Sequence, residues 1–172
     1  MASPINCLSN LFLSNRNLTT PTLGAFARKP TTLTFALKLS KADPRTFAAS
    51  GDLNHLGLVS IAIVIDTVQV EVDEIPGIFR KLSDRVDRVR MVNCQYDYNN
   101  ALKILRDAYA SFSTRNYFGT RSLIINAGNG LVACDQSYKD PPVHTSPIAD
   151  ALTKVLKKCN IAVVVFNAII GW

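Results

Sequence analysis

The stretch MVNCQYDYNNALKILRDAYASFSTRNYFGTRSLIINAGNGLVACDQSY, residues 91–138, decides the fold. Its first half places Met91, Cys94, Tyr98, Ala101, Leu105, Ala108 and Phe112 at alternating three- and four-residue steps. That spacing lines side chains along one face of an α-helix. The second half repeats the pattern with Tyr117, Thr120, Ile124, Ala127, Leu131, Cys134 and Tyr138, and Ser113-Thr114-Arg115-Asn116 is a polar break between the two. The stretch therefore reads as a helical hairpin. In an antiparallel hairpin, residues equidistant from the turn share a height. Thr114 is the midpoint of Cys94 and Cys134, and both cysteines fall on the apolar stripes. They can approach to the Cα separation of about 5.5–6 Å that a disulfide needs. Two buried reduced thiols satisfy the same pattern, so the spacing leaves both states open.

Working outward, the same spacing recurs on either side. Leu58, Ile61, Ile65, Val68, Val72, Ile75 and Phe79 form a stripe before the hairpin, and Ile148, Leu152, Val155, Cys159, Ala162, Phe166 and Ile169 form one after it. Each stripe covers about six turns, roughly 30 Å of helix. Four amphipathic helices of matched length predict an all-α, antiparallel four-helix bundle. Pro141-Pro142 predicts the end of the third helix, and Ser146-Pro147 an N-cap with a first-turn proline, Asp150 lying near the positive helix end. An α/β arrangement competes. Val68, Val70 and Val72 alternate with Gln69, Glu71 and Asp73 like a half-buried strand, Val163-Val164-Val165 is rich in β-formers, and Pro76-Gly77 suits a turn. Gly128-Asn129-Gly130 should soften the third helix by roughly 1 kcal/mol per glycine.

The chain has 172 residues, 48% hydrophobic and 19% charged, ample for one core. Its net charge of +6 is unevenly placed: residues 1–41 carry Arg16, Arg28, Lys29, Lys38 and Lys41 and no acid. The rest is close to neutral, and no cluster of cations interleaved with aromatics is legible in it, so nucleic acid is not an expected partner. Residues 1–42 read as a targeting-like or disordered segment, rich in Ser and Thr with short apolar pieces, as in a plastid or mitochondrial transit peptide. Residues 43–172 read as the bundle. No unbroken run of about eighteen apolar residues suggests a membrane span.

Chemistry is sparse. The four cysteines, Cys7, Cys94, Cys134 and Cys159, make no C-x-x-C pair, and His55 and His144 do not complete a zinc set. Cys134 with His144 is a weak candidate for a thiol hydrolase, at a spacing no such set uses. No phosphate loop or dinucleotide motif is present. Asp84, Arg85, Asp87, Arg88 and Arg90 form a mixed-sign run that reads as a solvated helix face. The sequence predicts no enzyme, no metal and no cofactor, and a bundle whose function is a surface.

Three pieces carry a resemblance. Asp43-Pro44-Arg45, Gly51-Asp52-Leu53 and Leu56-Gly57-Leu58-Val59-Ser60-Ile61-Ala62 form an opening; Cys94, Tyr98, Ala101 and Leu105 mark one helix; Tyr117, Cys134-Asp135, Tyr138 and Ser146-Pro147 mark the next helix and its loop. In order and spacing the chain resembles the plant invertase/pectin methylesterase inhibitor family over residues 43–172. The resemblance implies a four-helix bundle with a Cys94–Cys134 disulfide and an unpaired Cys159. It implies a monomeric protein that binds a secreted or vacuolar enzyme one to one and covers its active-site cleft. Acid invertase (β-fructofuranosidase) is the first expected target, from the HLGLVSIAI stretch and the Asn116-Tyr117 junction, and pectin methylesterase the second. An organelle-imported helical protein with an unrelated partner is a reading of another class.

The chain departs from the family in two places. The first cysteine pair of the family's N-terminal helical hairpin has no counterpart at Phe35 or Ala36, so that hairpin is missing or degenerate. Tyr117-Phe118-Gly119 stands where invertase inhibitors have a Pro-Lys-Phe element. Arg115, Asn116, Tyr117, Phe118 and Arg121 are then the expected target-binding residues, Phe118 as aromatic anchor and Arg115 or Arg121 as the positive charge.

Overall fold

The computed structural model describes residues 43–49 and 52–171, and among these there is no strand. A short helix α1 (Pro44–Ala48) precedes four long ones: α2 (Leu53–Lys81), α3 (Arg85–Ser113), α4 (Tyr117–Ser137) and α5 (Ala149–Ile170). The predicted N-terminal segment and the fate of the first hairpin lie outside the described residues.

Turns of three residues, 82–84 and 114–116, leave α2, α3 and α4 no choice but to run antiparallel. Helix α5 returns to pack on both α4 and α2, so α2, α3, α4 and α5 close into a bundle around one core. The α3, α4 and α5 stripes point inward as their spacing predicts: Met91, Cys94, Tyr98, Leu105, Ile124, Leu131, Val155, Cys159 and Phe166 are almost wholly buried. Burying each large apolar side chain contributes about 1.5–3 kcal/mol. Cys94 and Cys134 are joined by a disulfide with a Cα separation of 4.8 Å, and Cys159 is a buried thiol.

Helix α2 resolves the α/β alternative. A strand would bury Val68, Val70 and Val72 together. Instead Val68 is buried, Val70 is 52% exposed and Glu71 is buried at 8%. The helix also buries a second face, Leu56 and Val59, beneath Ala49 and beside Val165. That is why it is apolar beyond a single stripe. By length and composition alone α2 could cross a membrane, yet Ile61, Val64 and Val68 are its contribution to the bundle core.

Pro76 sits inside α2 rather than in a turn. Proline cannot donate to the carbonyl four residues back, that of Val72. Gln95 Nε2 from α3 donates to it instead, at 3.4 Å. The glycines at 128 and 130 likewise do not interrupt α4.

Two boundaries differ from expectation. Helix α4 stops at Ser137, before the prolines, with Tyr138 as its C-cap. Ser146 does not cap α5: its hydroxyl accepts from the amide of Ile148 at 3.4 Å, holding a turn over 147–148, and Ile148 is the N-cap without a side-chain bond. The proline opens that extra turn rather than the helix, which moves the start two residues on.

The 138–148 connection is fastened to the start of α3. Buried Arg90 donates to the carbonyls of Pro142 (2.9 Å) and Asp140 (2.8 Å), its guanidinium lying 5.4 Å from the centre of the Tyr138 ring. His144 Nδ1 meets Asp87 Oδ1 at 2.7 Å, and the Tyr138 hydroxyl donates to the Asp87 carbonyl at 3.3 Å. Burial and the Asp87 charge push that phenol up to about 12, against the pull of Arg90.

Candidate functional site

The end of the bundle holding the α3–α4 turn carries all five expected target-binding residues, and the fold gives them different tasks. Helix α3 ends in a Schellman motif: Asn116 N donates to Ser111 O at 3.2 Å and Arg115 N to Phe112 O at 2.8 Å. Arg115 holds the left-handed position of that motif, with φ 59°. Glycine is usual there, and other L-residues adopt this conformation at a cost of about 1–2 kcal/mol. Asn116 is the N-cap of α4, its Oδ1 accepting from Gly119 N at 3.0 Å. That is a structural duty.

Tyr117 is half-buried, its ring 5.5 Å from that of Phe112, which in turn packs edge-on against Phe166 at 5.9 Å. Arg121 Nε donates to Asn167 Oδ1 on α5 at 2.6 Å, tying its guanidinium to the side of the bundle. Phe118, 57% exposed, Arg115 and Asn116 are the exposed members of the five, and of these Asn116 is committed to the cap. The positive charge at the turn itself is therefore that of Arg115, not Arg121.

Beside them lies an open groove of about 480 Å³ between the start of α2 and the end of α3. Asn54, Leu58 and Tyr109 line it together with Phe112, Arg115 and Tyr117. Sequence reasoning missed Asn54 and Tyr109 because both stand off the apolar stripes. Tyr109, 40% exposed, was detectable only as a large aromatic on a polar face.

The remaining chemistry is accounted for by structure. Cys134 is bonded to Cys94 and His144 faces Asp87, so the thiol-hydrolase pairing does not form. Asp84, Asp87 and His144 place one potential ligand atom each within 4.8 Å of one another. In this arrangement Asp84 caps α3, and Asp87 contacts both His144 and, at 4.0 Å, Arg90, whose charge opposes a cation there.

No family model matches the chain. A pectinesterase inhibitor from Actinidia deliciosa is 26% identical over 135 residues, covering 78% of this chain and 72% of that protein. Pectinesterase inhibitor 5 from Arabidopsis thaliana is 24% identical over 147 residues, covering 83% and 80%. Two crystal structures of pectin methylesterase inhibitors from Arabidopsis superimpose with TM-scores of 0.66 and 0.61, at 19% and 15% identity. Each covers 78% of this chain, and 87% and 95% of those chains respectively. The fold is thus the helical bundle of these structures. The chain is similar to two pectinesterase inhibitors across most of the bundle, in line with the family resemblance that its cysteine and tyrosine spacing carries.

Proposed function

We propose that the chain is a proteinaceous inhibitor of a pectin methylesterase, without catalysis of its own, that binds the enzyme one to one and covers its substrate cleft. The observation that carries this reading is that both curated relatives are pectinesterase inhibitors and match across most of the bundle. The sequence expectation ranks acid invertase first. The similarities favour the second target, so the order is reversed, with invertase kept as the comparison arm of the test.

The docking surface on this reading is the α3–α4 turn. Phe118 and Arg115 project there beside the aromatic groove, a small apolar centre with a polar rim of the kind that dominates interface energies. Arginine in a position that suits glycine supports a role for its side chain. The Cys94–Cys134 disulfide supports an oxidising compartment, the cell wall or vacuole, over a plastid or mitochondrion.

The test is a titration of the full chain against a plant pectin methylesterase, and in parallel against an acid invertase near pH 5. A sharp equimolar loss of ester hydrolysis with sucrose hydrolysis untouched is the expected result. Loss of sucrose hydrolysis alone would restore invertase as the target. No effect on either enzyme, with the helical circular dichroism intact, would overturn the reading.

A further inference from the structure

The opposite end of the bundle has a second surface with a different chemistry. The mixed-sign run 84–90 is sorted by the fold: Asp87 and Arg90 turn inward to His144 and to the loop carbonyls of Asp140 and Pro142, while Arg85 and Arg88 remain outside. Exposed Arg80 and Lys81 close α2 immediately before the turn. None of these four cations lies within 4.0 Å of a carboxylate among the described residues. The acid of the turn, Asp84, is engaged in accepting from the Asp87 amide at 2.9 Å.

Helix electrostatics explain half of this. Arg80 and Lys81 suit the negative C-terminal end of α2, but Arg85 and Arg88 stand in the first turn of α3, where acids stabilise and cations do not. These two cations flank an open groove of about 430 Å³ whose floor is apolar: Phe79, Val89 and Val92, with Ser83 at the rim. Arg88 is already stacked 4.7 Å from the centre of the Phe79 ring. Val89 and Val92 are each 56% exposed on the outer face of α3.

Unpaired cations beside an exposed aliphatic floor and a half-buried aromatic ring fit one class of partner well. A linear polyuronate offers a carboxylate on each sugar and an apolar ring face between them. An acidic protein segment would supply the charge without the regular flat apolar faces, and a nucleic acid would call for aromatic platforms between its bases. We infer that the Arg80–Val92 end of the bundle is a docking site for an anionic, polyuronate-type polysaccharide, separate from the inhibitory turn. The choice of polyuronate among anionic glycans rests on the pectin methylesterase reading; the existence of the site does not. The two ends are about 43 Å apart along α3, so a chain held here leaves the α3–α4 turn accessible.

The experiment measures binding of polygalacturonate to the full chain and to the Arg85→Gln/Arg88→Gln double variant by isothermal titration at 50 mM salt, with no enzyme present. The same polymer fully methyl-esterified, and a DNA duplex, serve as comparison ligands. Residues 1–41, with their five cations, are common to both proteins, so the difference reports on the turn. The expected result is binding of the free-acid polymer that weakens at least about tenfold in the variant and falls steeply with salt, as counterion release requires, with no binding of the esterified polymer. Equal binding by variant and parent would overturn the site. Equal binding of the esterified polymer would remove the charge argument, and DNA bound as tightly as polygalacturonate would remove the sugar. Retained circular dichroism and retained enzyme inhibition by the variant keep this outcome apart from misfolding and from failure of the inhibitor reading.

Discussion

Glu71 is a carboxylate placed where an apolar residue belongs. Burial raises its pKa above the ordinary 4.5, Glu74 adds to the shift and Lys154 opposes it. A carboxyl whose folded pKa is raised is favoured in its protonated form, so its contribution to stability is fully present below about pH 4.5 and is lost as pH rises through the folded value. Glu71→Gln should therefore flatten the stability profile, gaining on the parent at pH 7 and matching it near pH 4. Urea midpoints at the two values measure this, and an unchanged difference between them would show that Glu71 does not titrate with folding. Arg115 is the second residue whose environment and identity disagree. Arg115→Gly relieves the left-handed backbone and should stabilise by up to about 1 kcal/mol, while weakening inhibition if its side chain meets the target. Denaturation and inhibition assays on one preparation separate the two effects; loss of stability would contradict the Schellman geometry. Neither conflict is legible in sequence, since Glu71 falls in an apparent strand alternation and Arg115 in an ordinary polar break.

At the scale of elements, the Cys94–Cys134 bond closes a separation of 40 residues between α3 and α4. Restricting the unfolded chain by a loop of that size contributes about 4 kcal/mol in the chain-entropy model. Cys94→Ala/Cys134→Ala should lose roughly that amount, read as a lower urea midpoint, and a loss under about 1 kcal/mol would place the hairpin's stability in its packing alone. The heights of these cysteines were readable because α-helical rise is uniform and the turn was marked by four polar residues. The stripes of α3, α4 and α5 were readable for the same reason. The α2 stripe was readable too, since Ile61, Val68 and Ile75 are buried and Ile65, Val72 and Phe79 pack against the core. A strand alternative stayed open there because α2 also buries a second face against Ala49 and Val165 and contains Pro76, whose missing hydrogen bond is replaced from another helix. No local pattern reports a donor that arrives from 23 residues away.

For the whole molecule, the two ends of one bundle carry distinct surfaces: an aromatic groove with Arg115 and Phe118 at one, and Arg85 and Arg88 over an apolar floor at the other. On the inhibitor reading, Phe118→Ala should weaken target binding by more than about 1 kcal/mol without moving the melting temperature, since its side chain is largely outside the core. An unchanged dissociation constant would take the α3–α4 turn out of the interface. What the sequence by itself determined is the four amphipathic helices, their inward faces and the level at which the hairpin is cross-linked. All of these follow from the fixed period and rise of a helix acting within one segment. Only the tertiary structure decided that Asn116 and Arg121 serve the fold while Arg115 and Phe118 face solvent, that Asn54 and Tyr109 share a groove, and that the run 84–90 divides into an inner ionic network and outer cations. Those outcomes depend on how each helix is rotated about its own axis against its neighbours, and that rotation is set by the whole core at once.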